Sequence, residues 1–337
     1  MCYDRNYINN NGEVKSHKNA PNRNLSLCEI KDWFGEDFNK QYSLKKLTIC
    51  GTESEPSLNP DLGRIICYLK NKQRATLVRV STNGATHDQD WWYQIGTQMA
   101  HYKRSVQFIF SIDGIGRSHE AYRLGTSYQS VIDNAKSFIA GGGTAIWQFL
   151  VFQHNEDQID MARKMSRMHG FFDFYLKYTN YFRREGISNL VYHYRGEEYR
   201  LKESKNARQV SDEIPQSDSQ ISCYSLNSRE IFVDHEGYLY PCSWFKSSLM
   251  GSFSPVGTEN TSEVVRQFRS DRTNLRKRMI NDILDDTQLW HSLSSSWGNS
   301  VLRPRVCELY CSSGGQNTQC SFQIDQIDTI LKQAEIP

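Results

Sequence analysis

The sequence predicts an α/β fold with a parallel sheet, followed by a smaller unit of different make-up. Three observations predict it. Five strand-length apolar runs alternate with helix-length segments from Leu44 to Thr179, the rhythm stops after Thr179, and the nine cysteines of the 337-residue chain avoid the stretch from Tyr68 to Ser222.

Taken in order, the runs are LKKLTIC (Leu44–Cys50), ATLVRVS (Ala75–Ser81), SVQFIFSI (Ser105–Ile112), AIWQFLVF (Ala145–Phe152) and FDFYLKYT (Phe172–Thr179). Their β-branched and aromatic content and their lengths are those of strands. Helix-length stretches lie between them at Asp61–Asn71, Asp90–His101, Ser127–Ala140 and Asp157–His169. Repeated βα units need crossover helices and so imply a parallel sheet, open or closed into a barrel. Chemistry in such folds gathers at the C-terminal strand ends. Here those ends read CGTESEP, STNG, SIDGIG and VFQHN, small and polar, as close approach of backbone to a ligand requires.

Residues 183–222 are polar and charge-rich and are expected to form a surface connection with little core. Beyond them, REIFVDHEGYLYPC reads as a hairpin turning at DHEG. Helical segments are expected near Ser262–Asp282, a cysteine-bearing loop at CELYCSSGGQNTQC, and a closing helix near Ile324–Gln333.

Composition excludes several classes. A net charge of +2 argues against bulk electrostatic binding to nucleic acid or membrane. No run reaches 18 apolar residues, and the first residues lack the basic-then-apolar pattern of a signal peptide, so a cytoplasmic protein is expected. In a reducing compartment, clustered cysteines point to metal or catalysis rather than to disulfides. Cys223 and Cys242 on the hairpin segment, with the C-x3-C pair Cys307 and Cys311, can supply four converging thiolates to an iron–sulfur cluster. Cys320, eight residues further on, is the spare or a replacement for one of that pair. Zinc accepts the same four thiolates, and five buried cysteines could also serve merely as small hydrophobes.

Each strand-end motif is ordinary alone: loop glutamates such as Glu55 are usually solvated, and Asp-Gly ends many strands. As an ordered set, GTESEP, STNG, FSIDG…H…YR, WQFLVFQHN, C-x13-G-x4-C and C-x3-C, the sequence resembles the radical S-adenosylmethionine (SAM) enzymes that carry a C-terminal SPASM or twitch-type auxiliary iron–sulfur domain. The resemblance spans about residues 44–320. It implies a partial (β/α)6 TIM-like barrel over residues 1–182, a polar linker over 183–220 and a small α+β auxiliary-cluster domain over 221–337. It also implies assignments for single residues. Thr52, Ser54, Glu55 and Pro56 stand in the loop that holds the SAM amino group, Ser54 replacing the family's usual glycine. Asn83, Ser111 and Asp113 lie at strand ends beside SAM, Arg123 holds the SAM carboxylate, and the segment Leu150–Asn155, with Val151 and Asn155, flanks adenine. Cys223, Cys242, Cys307 and Cys311 bind an auxiliary 4Fe-4S cluster.

The family's defining C-x3-C-x2-C, whose three thiolates hold the 4Fe-4S cluster that cleaves SAM to a 5′-deoxyadenosyl radical, does not occur in the chain. Cys28, Cys50 and Cys67 are too far apart for it and are expected at buried or strand-end positions. MCY at residues 1–3 resembles the motif's tail. Cys2 is then the remaining catalytic-cluster ligand of a barrel that is short of its first strand, recorded from an internal methionine. The expected activity is hydrogen abstraction from a peptide, protein or small metabolite, with a flavodoxin or ferredoxin as reductant. The rivals are a non-catalytic relative that keeps the auxiliary cluster and binds a partner, and a zinc-binding interaction protein.

Overall fold

A computed structural model describes residues 6–8, 14–16, 24–51, 55–74, 76–179, 182, 188–207, 220–249, 263–299, 301–312 and 322–324. In chain order the elements are β1 (Asn6–Ile8), β2 (Val14–Ser16), α1 (Leu27–Trp33), α2 (Glu36–Gln41), β3 (Leu44–Cys50), α3 (Leu62–Lys72), β4 (Leu77–Thr82), α4 (Gln89–Met99) and β5 (Val106–Ser111). They continue as α5 (Arg117–Tyr122), α6 (Tyr128–Ala140), β6 (Thr144–Val151), α7 (Ile159–Met168), β7 (Asp173–Tyr178), β8 (Leu190–Tyr194) and β9 (Glu197–Leu201). The last are α8 (Tyr224–Asn227), β10 (Glu230–Val233), β11 (Leu239–Tyr240), α9 (Ser243–Leu249), α10 (Glu263–Gln267), α11 (Ile280–Leu284), α12 (Thr287–Ser296), α13 (Arg305–Cys311) and β12 (Phe322–Ile324). Two compact units result: Met1–Pro21, Ile49–Gly63 and Leu77–Asp212 form one, and Asn22–Thr48, Arg64–Thr76 and Glu213–Pro337 the other.

In the first unit the strands run in the order β3–β4–β5–β6–β7, with β3 contributing only its C-terminal end. Parallel registers join β4 to β5 (Arg79↔Gln107), β5 to β6 (Ser111↔Gln148) and β6 to β7 (Gln148↔Tyr175). Alternation along these strands separates two chemistries. Val78, Val80, Phe108, Phe110, Trp147, Phe149 and Val151 are all fully buried. Helices α4 and α6 cover this side: Trp92 packs on Phe110 at 5.1 Å between ring centres, and Phe138 on Phe108 at 4.6 Å. The opposite side carries Arg79, Gln107, Ser111, Gln148 and Tyr175 and is only partly buried along β4, β6 and β7.

Local signals start these helices where the pattern predicts. Asp88 caps α4 by accepting the Trp91 N–H at 2.9 Å, and Ser127 caps α6. Gly96 lets α4 and α6 approach closely, because a β-carbon there would stand 2.2 Å from the Phe138 carbonyl oxygen.

Residues 183–222 correct the expectation of a bare linker. Within them β8 and β9 form a hairpin whose two turn residues, Arg195 and Gly196, both have positive φ (54° and 84°), as a tight primed turn demands. Tyr192 and Leu201 from this hairpin bury against Phe152 and Phe182. The alternation of LVYHY and EEYRL was present in the sequence but masked by the charges between its apolar positions.

In the second unit the order is β11–β10–β12–β3, all antiparallel. The β10–β11 turn is the predicted DHEG: Asp234 accepts the N–H groups of Glu236 and Tyr238, both at 2.9 Å. Gly237 sits there at φ +83°, and a β-carbon would meet Arg276 at 2.8 Å and Trp33 at 3.2 Å. The glycine of C-x13-G-x4-C thus has a backbone reason. One further expectation is corrected, and one helix is added that the sequence reading did not include. Cys307 and Cys311 lie on a helix, α13, and not in a loop. The serine-rich stretch 287–296 is a helix, capped by Asp286 and buried through Leu289, Trp290 and Leu293. Cys28 is exposed on α1, whereas Cys50 ends β3 half-buried and Cys67 is half-buried on α3. The expected closing helix lies almost wholly outside the described residues.

Replacing Gly96 by alanine is expected to cost about 1–3 kcal/mol through overpacking. Gly298→Ala, whose new methyl group would meet nothing nearer than 4.0 Å, is expected to change stability by less than about 0.5 kcal/mol. Urea denaturation of both variants measures the difference.

Candidate functional site

Two carboxylates organise the C-terminal strand ends of the first unit. Glu55 follows β3 and precedes a short 3-10 turn begun by Pro56. Its Oε1 accepts the Thr82 hydroxyl at 2.5 Å, the Ser57 hydroxyl at 2.9 Å and the Ser57 N–H at 3.2 Å. Among the described residues its Oε2 accepts the Asn83 N–H alone, at 2.8 Å. The Ser57 hydroxyl also bonds Thr86. The loop after β3 is therefore tied to STNG, and Oε2 keeps acceptor capacity for a further donor.

Asp113 ends β5 with no exposed surface. It accepts the Leu150 N–H through Oδ1 and the Arg123 Nε–H through Oδ2, each at 2.7 Å. The Arg123 side chain is 17% exposed. The Asp113 N–H donates to Nδ1 of His119 at 3.1 Å, and the Asp113 carbonyl accepts the Asn155 amide at 3.0 Å. Asn155 also donates to the Leu150 carbonyl at 3.0 Å and accepts the Phe152 N–H at 2.8 Å. Because His119 accepts at Nδ1, its proton lies on Nε2, which faces the Thr126 hydroxyl at 3.0 Å; that hydroxyl donates onward to the Arg123 carbonyl at 2.6 Å. Burial holds the His119 imidazole neutral and lowers its pKa to about 4.

Of the residues assigned to SAM, Glu55 and Asn83 meet at one pair of strand ends, and Asp113, Arg123 and Asn155 at the next. Ser111 lies at the tip of β5 on the helix-free face, 7% exposed. Val151 points the other way and is fully buried, while Asn155 spends its amide bracing the loop after β6. Thr52 and Ser54 lie outside the described residues, as do Cys2 and Cys320. Sequence reasoning missed Thr82, His119 and Thr126 as members of these networks. His119 was visible in HEAYR, but spacing alone could not show that it accepts a backbone N–H.

In the second unit Cys223, Cys242, Cys307 and Cys311 line one pocket, together with Pro241, Trp244, Phe245, Leu293 and Val306. Helix α13 presents Cys307 and Cys311 four residues apart, hence on one face. The Ser222 N–H donates to the Cys311 carbonyl at 2.7 Å, and Ile221 bridges Ser312, which brings Cys223 alongside. A hydrogen bond from the Cys223 thiol, aided by the Tyr224 N–H, lowers the Cys311 pKa to about 7. That same bond pushes Cys223 well up, with burial adding to it, and burial pushes Cys307 up. The Trp297 indole N–H, buried and without a well-aligned acceptor, and the Arg303 charge both favour the Cys307 thiolate. The donor set, apolar lining and nearby N–H groups fit a thiolate-bound cluster. Among the described residues no three Cys, His, Asp or Glu side chains close on a point as a single bound ion requires.

No family model and no curated protein matches the sequence. Solved structures do. The chain is similar to Streptococcus suis SuiB at 11% identity, over 68% of this chain and 56% of that one, with a TM-score of 0.41. SuiB bound to the precursor peptide SuiA gives 13% identity and a TM-score of 0.41 over 67% and 54% of the two chains. Native anSMEcpe with bound AdoMet gives 11% identity, 91% and 85% coverage and a TM-score of 0.42. The chain thus spans about half the length of SuiB, and identities and TM-scores this low assign neither family nor activity. Among the described residues no helix is long and apolar enough to cross a membrane.

The His119 environment gives a pH dependence. Its pKa falls from 6.5 to about 4 on folding, so the unfolded chain takes up this proton first as pH drops. The contribution is complete above pH 6.5 and is lost on the way down to about pH 4, up to about 3 kcal/mol in all. Denaturation midpoints between pH 7 and pH 4 should show that slope, and His119→Asn should flatten it.

Proposed function

We propose that the chain is an iron–sulfur enzyme of the radical SAM type, acting on a peptide, protein or small metabolite. In this reading the first unit is the wall of a partial barrel and the second carries the auxiliary cluster. Sequential strand order and helices packed on one face support the barrel, since a doubly wound sheet reverses its order and is covered on both faces. The observation that carries the reading is the cysteine pocket: four thiols chosen by spacing line one apolar cavity, with N–H donors and an arginine beside them. An auxiliary 4Fe-4S cluster held there would supply electron transfer or an anchor for substrate.

SAM would be held by the strand-end residues. Arg123, oriented through Nε by Asp113, offers its guanidinium to a carboxylate, and Oε2 of Glu55 accepts from an ammonium. Asp113 is a positioning residue, because its carboxylate is already committed to Arg123 and Leu150. The second reading, a non-catalytic relative that keeps an iron–sulfur cluster or zinc in the cysteine pocket and binds a partner, shares that pocket and differs in whether SAM is cleaved.

Anaerobic reconstitution with iron and sulfide is expected to load about four irons per chain in the auxiliary pocket, lost in the Cys223→Ala, Cys307→Ala double variant. One zinc and no iron would defeat the cluster assignment. Equilibrium dialysis is expected to show SAM binding, weakened roughly tenfold or more by Arg123→Gln, as loss of a charge-assisted pair implies. Release of 5′-deoxyadenosine from SAM under reductant separates the enzyme from the non-catalytic relative.

A further inference from the structure

Among the described residues, the face of the first unit's sheet opposite α4 and α6 holds an arginine whose hydrogen-bond partners are all neutral. Arg79 of β4 donates through Nε to the Gln107 side-chain oxygen at 3.0 Å and through Nη2 to the Tyr175 hydroxyl at 3.4 Å. Its guanidinium lies 5.8 Å from the Tyr175 ring centre. Gln107 is itself fixed, because its amide nitrogen donates to the Arg104 carbonyl at 3.1 Å, so its oxygen is aimed at Arg79. Among the other described arginines, Arg123 meets Asp113, Arg269 meets Glu236, Arg272 and Arg278 meet Asp286, and Arg276 meets Glu29, whereas the buried Arg303 donates to the Trp297 carbonyl.

Arg79 spends two of its five N–H groups. Its full charge thus remains, on a half-buried surface that a solely structural arginine would neutralise with a carboxylate. The reach from β4 to β7 matters as well. Three inter-strand spacings amount to about 14 Å on a flat sheet, so Arg79 and Tyr175 extend toward one another over the face that also carries Ser111 and Gln148. Glu55 and Asp113, which follow β3 and β5, and Arg123, which ends α5, lie beyond the C-terminal ends of the same strands. The neutral clamp keeps the guanidinium planar and oriented, the geometry that receives a carboxylate through two parallel N–H bonds.

We propose that Arg79, clamped by Gln107 and Tyr175, is the recognition site for a carboxylate of the substrate, which makes the substrate an acidic peptide or other carboxylate-bearing molecule. This rests on the reading above, in which the helix-free face receives substrate. It adds a chemical class to that reading and assigns Arg79 a role in specificity, not in SAM binding.

The probe is 13C-labelled glutarate, a mimic of the glutamate side chain, titrated into the full chain and followed by NMR line broadening, with glutaramide as the neutral control. Saturable glutarate binding is expected, without glutaramide binding. Arg79→Gln should weaken it at least tenfold, Arg79→Lys by less, and Tyr175→Phe should weaken it while leaving the fold intact. Equal glutarate binding by wild type and Arg79→Gln, equal binding of glutaramide, or no saturable binding overturns the proposal. Dialysis against SAM on the same samples separates the two failures. Normal SAM binding with glutarate binding that ignores Arg79 sinks this inference alone, whereas absent SAM binding by the wild-type chain sinks the reading beneath it.

Discussion

The buried carboxylate of Asp113 is the constraint on which the strand-end architecture of the first unit depends. A charge with no exposed surface is costly unless paired and hydrogen-bonded, and this one has both: the Arg123 guanidinium on one oxygen and the Leu150 N–H on the other. The residue's own backbone is used too, with its N–H on His119 and its carbonyl on Asn155. One side chain and its peptide groups therefore fix the end of β5, the end of β6, the helix α5 and the loop after β6. A group that must be satisfied in four directions specifies a unique geometry more firmly than apolar packing of the same volume.

Glu55 performs the neighbouring version of this task with a different balance. It is only partly buried, and it takes hydroxyl and N–H donors in place of a cation. Its negative charge is thus spread over several dipoles, not cancelled. Among the described residues, the two carboxylates leave the edge of the sheet with one acid stabilised by hydroxyl and N–H donors and one arginine held through its Nε.

Much of this was legible in the sequence, and the reasons for the rest are physical. Strand ends fell within two residues of the runs of β-branched and aromatic residues, because one fully apolar face and the length of each run leave little freedom. The expected starts of α4 and α6, Asp90 and Ser127, fell within one residue of the observed ones, Gln89 and Tyr128. The β8–β9 hairpin was missed because its register is set by Arg195 and Gly196 at positive φ, and an arginine there carries no turn signal. α12 was missed because serine favours caps and turns, while burial of Leu289, Trp290 and Leu293 overrides that preference. In the site, the resemblance named Glu55, Asp113, Arg123 and Asn155 alike. Sequence order could not show that the Asn155 amide is engaged inside the loop after β6, or that the Asp113 carboxylate is taken by Arg123 and Leu150.

The same limit explains why Arg79 did not stand out. In ATLVRVS a single basic residue in an apolar strand reads as an edge or solvent-facing position. Only the register shows otherwise: Arg79 pairs with Gln107 in the interior of a sheet whose far face is closed by aromatic packing. A parallel sheet covered on one side by helices must do something with its other side. A purely structural solution is apolar, as Ile109 and Ile146 begin to be. Placing a clamped guanidinium and a ring of amides and hydroxyls there instead forgoes core burial, and the arrangement keeps a fixed, uncancelled charge in partial contact with water. Such an arrangement makes physical sense where an anion completes it, and it directs the search for a substrate toward carboxylates before any sequence of a partner is known.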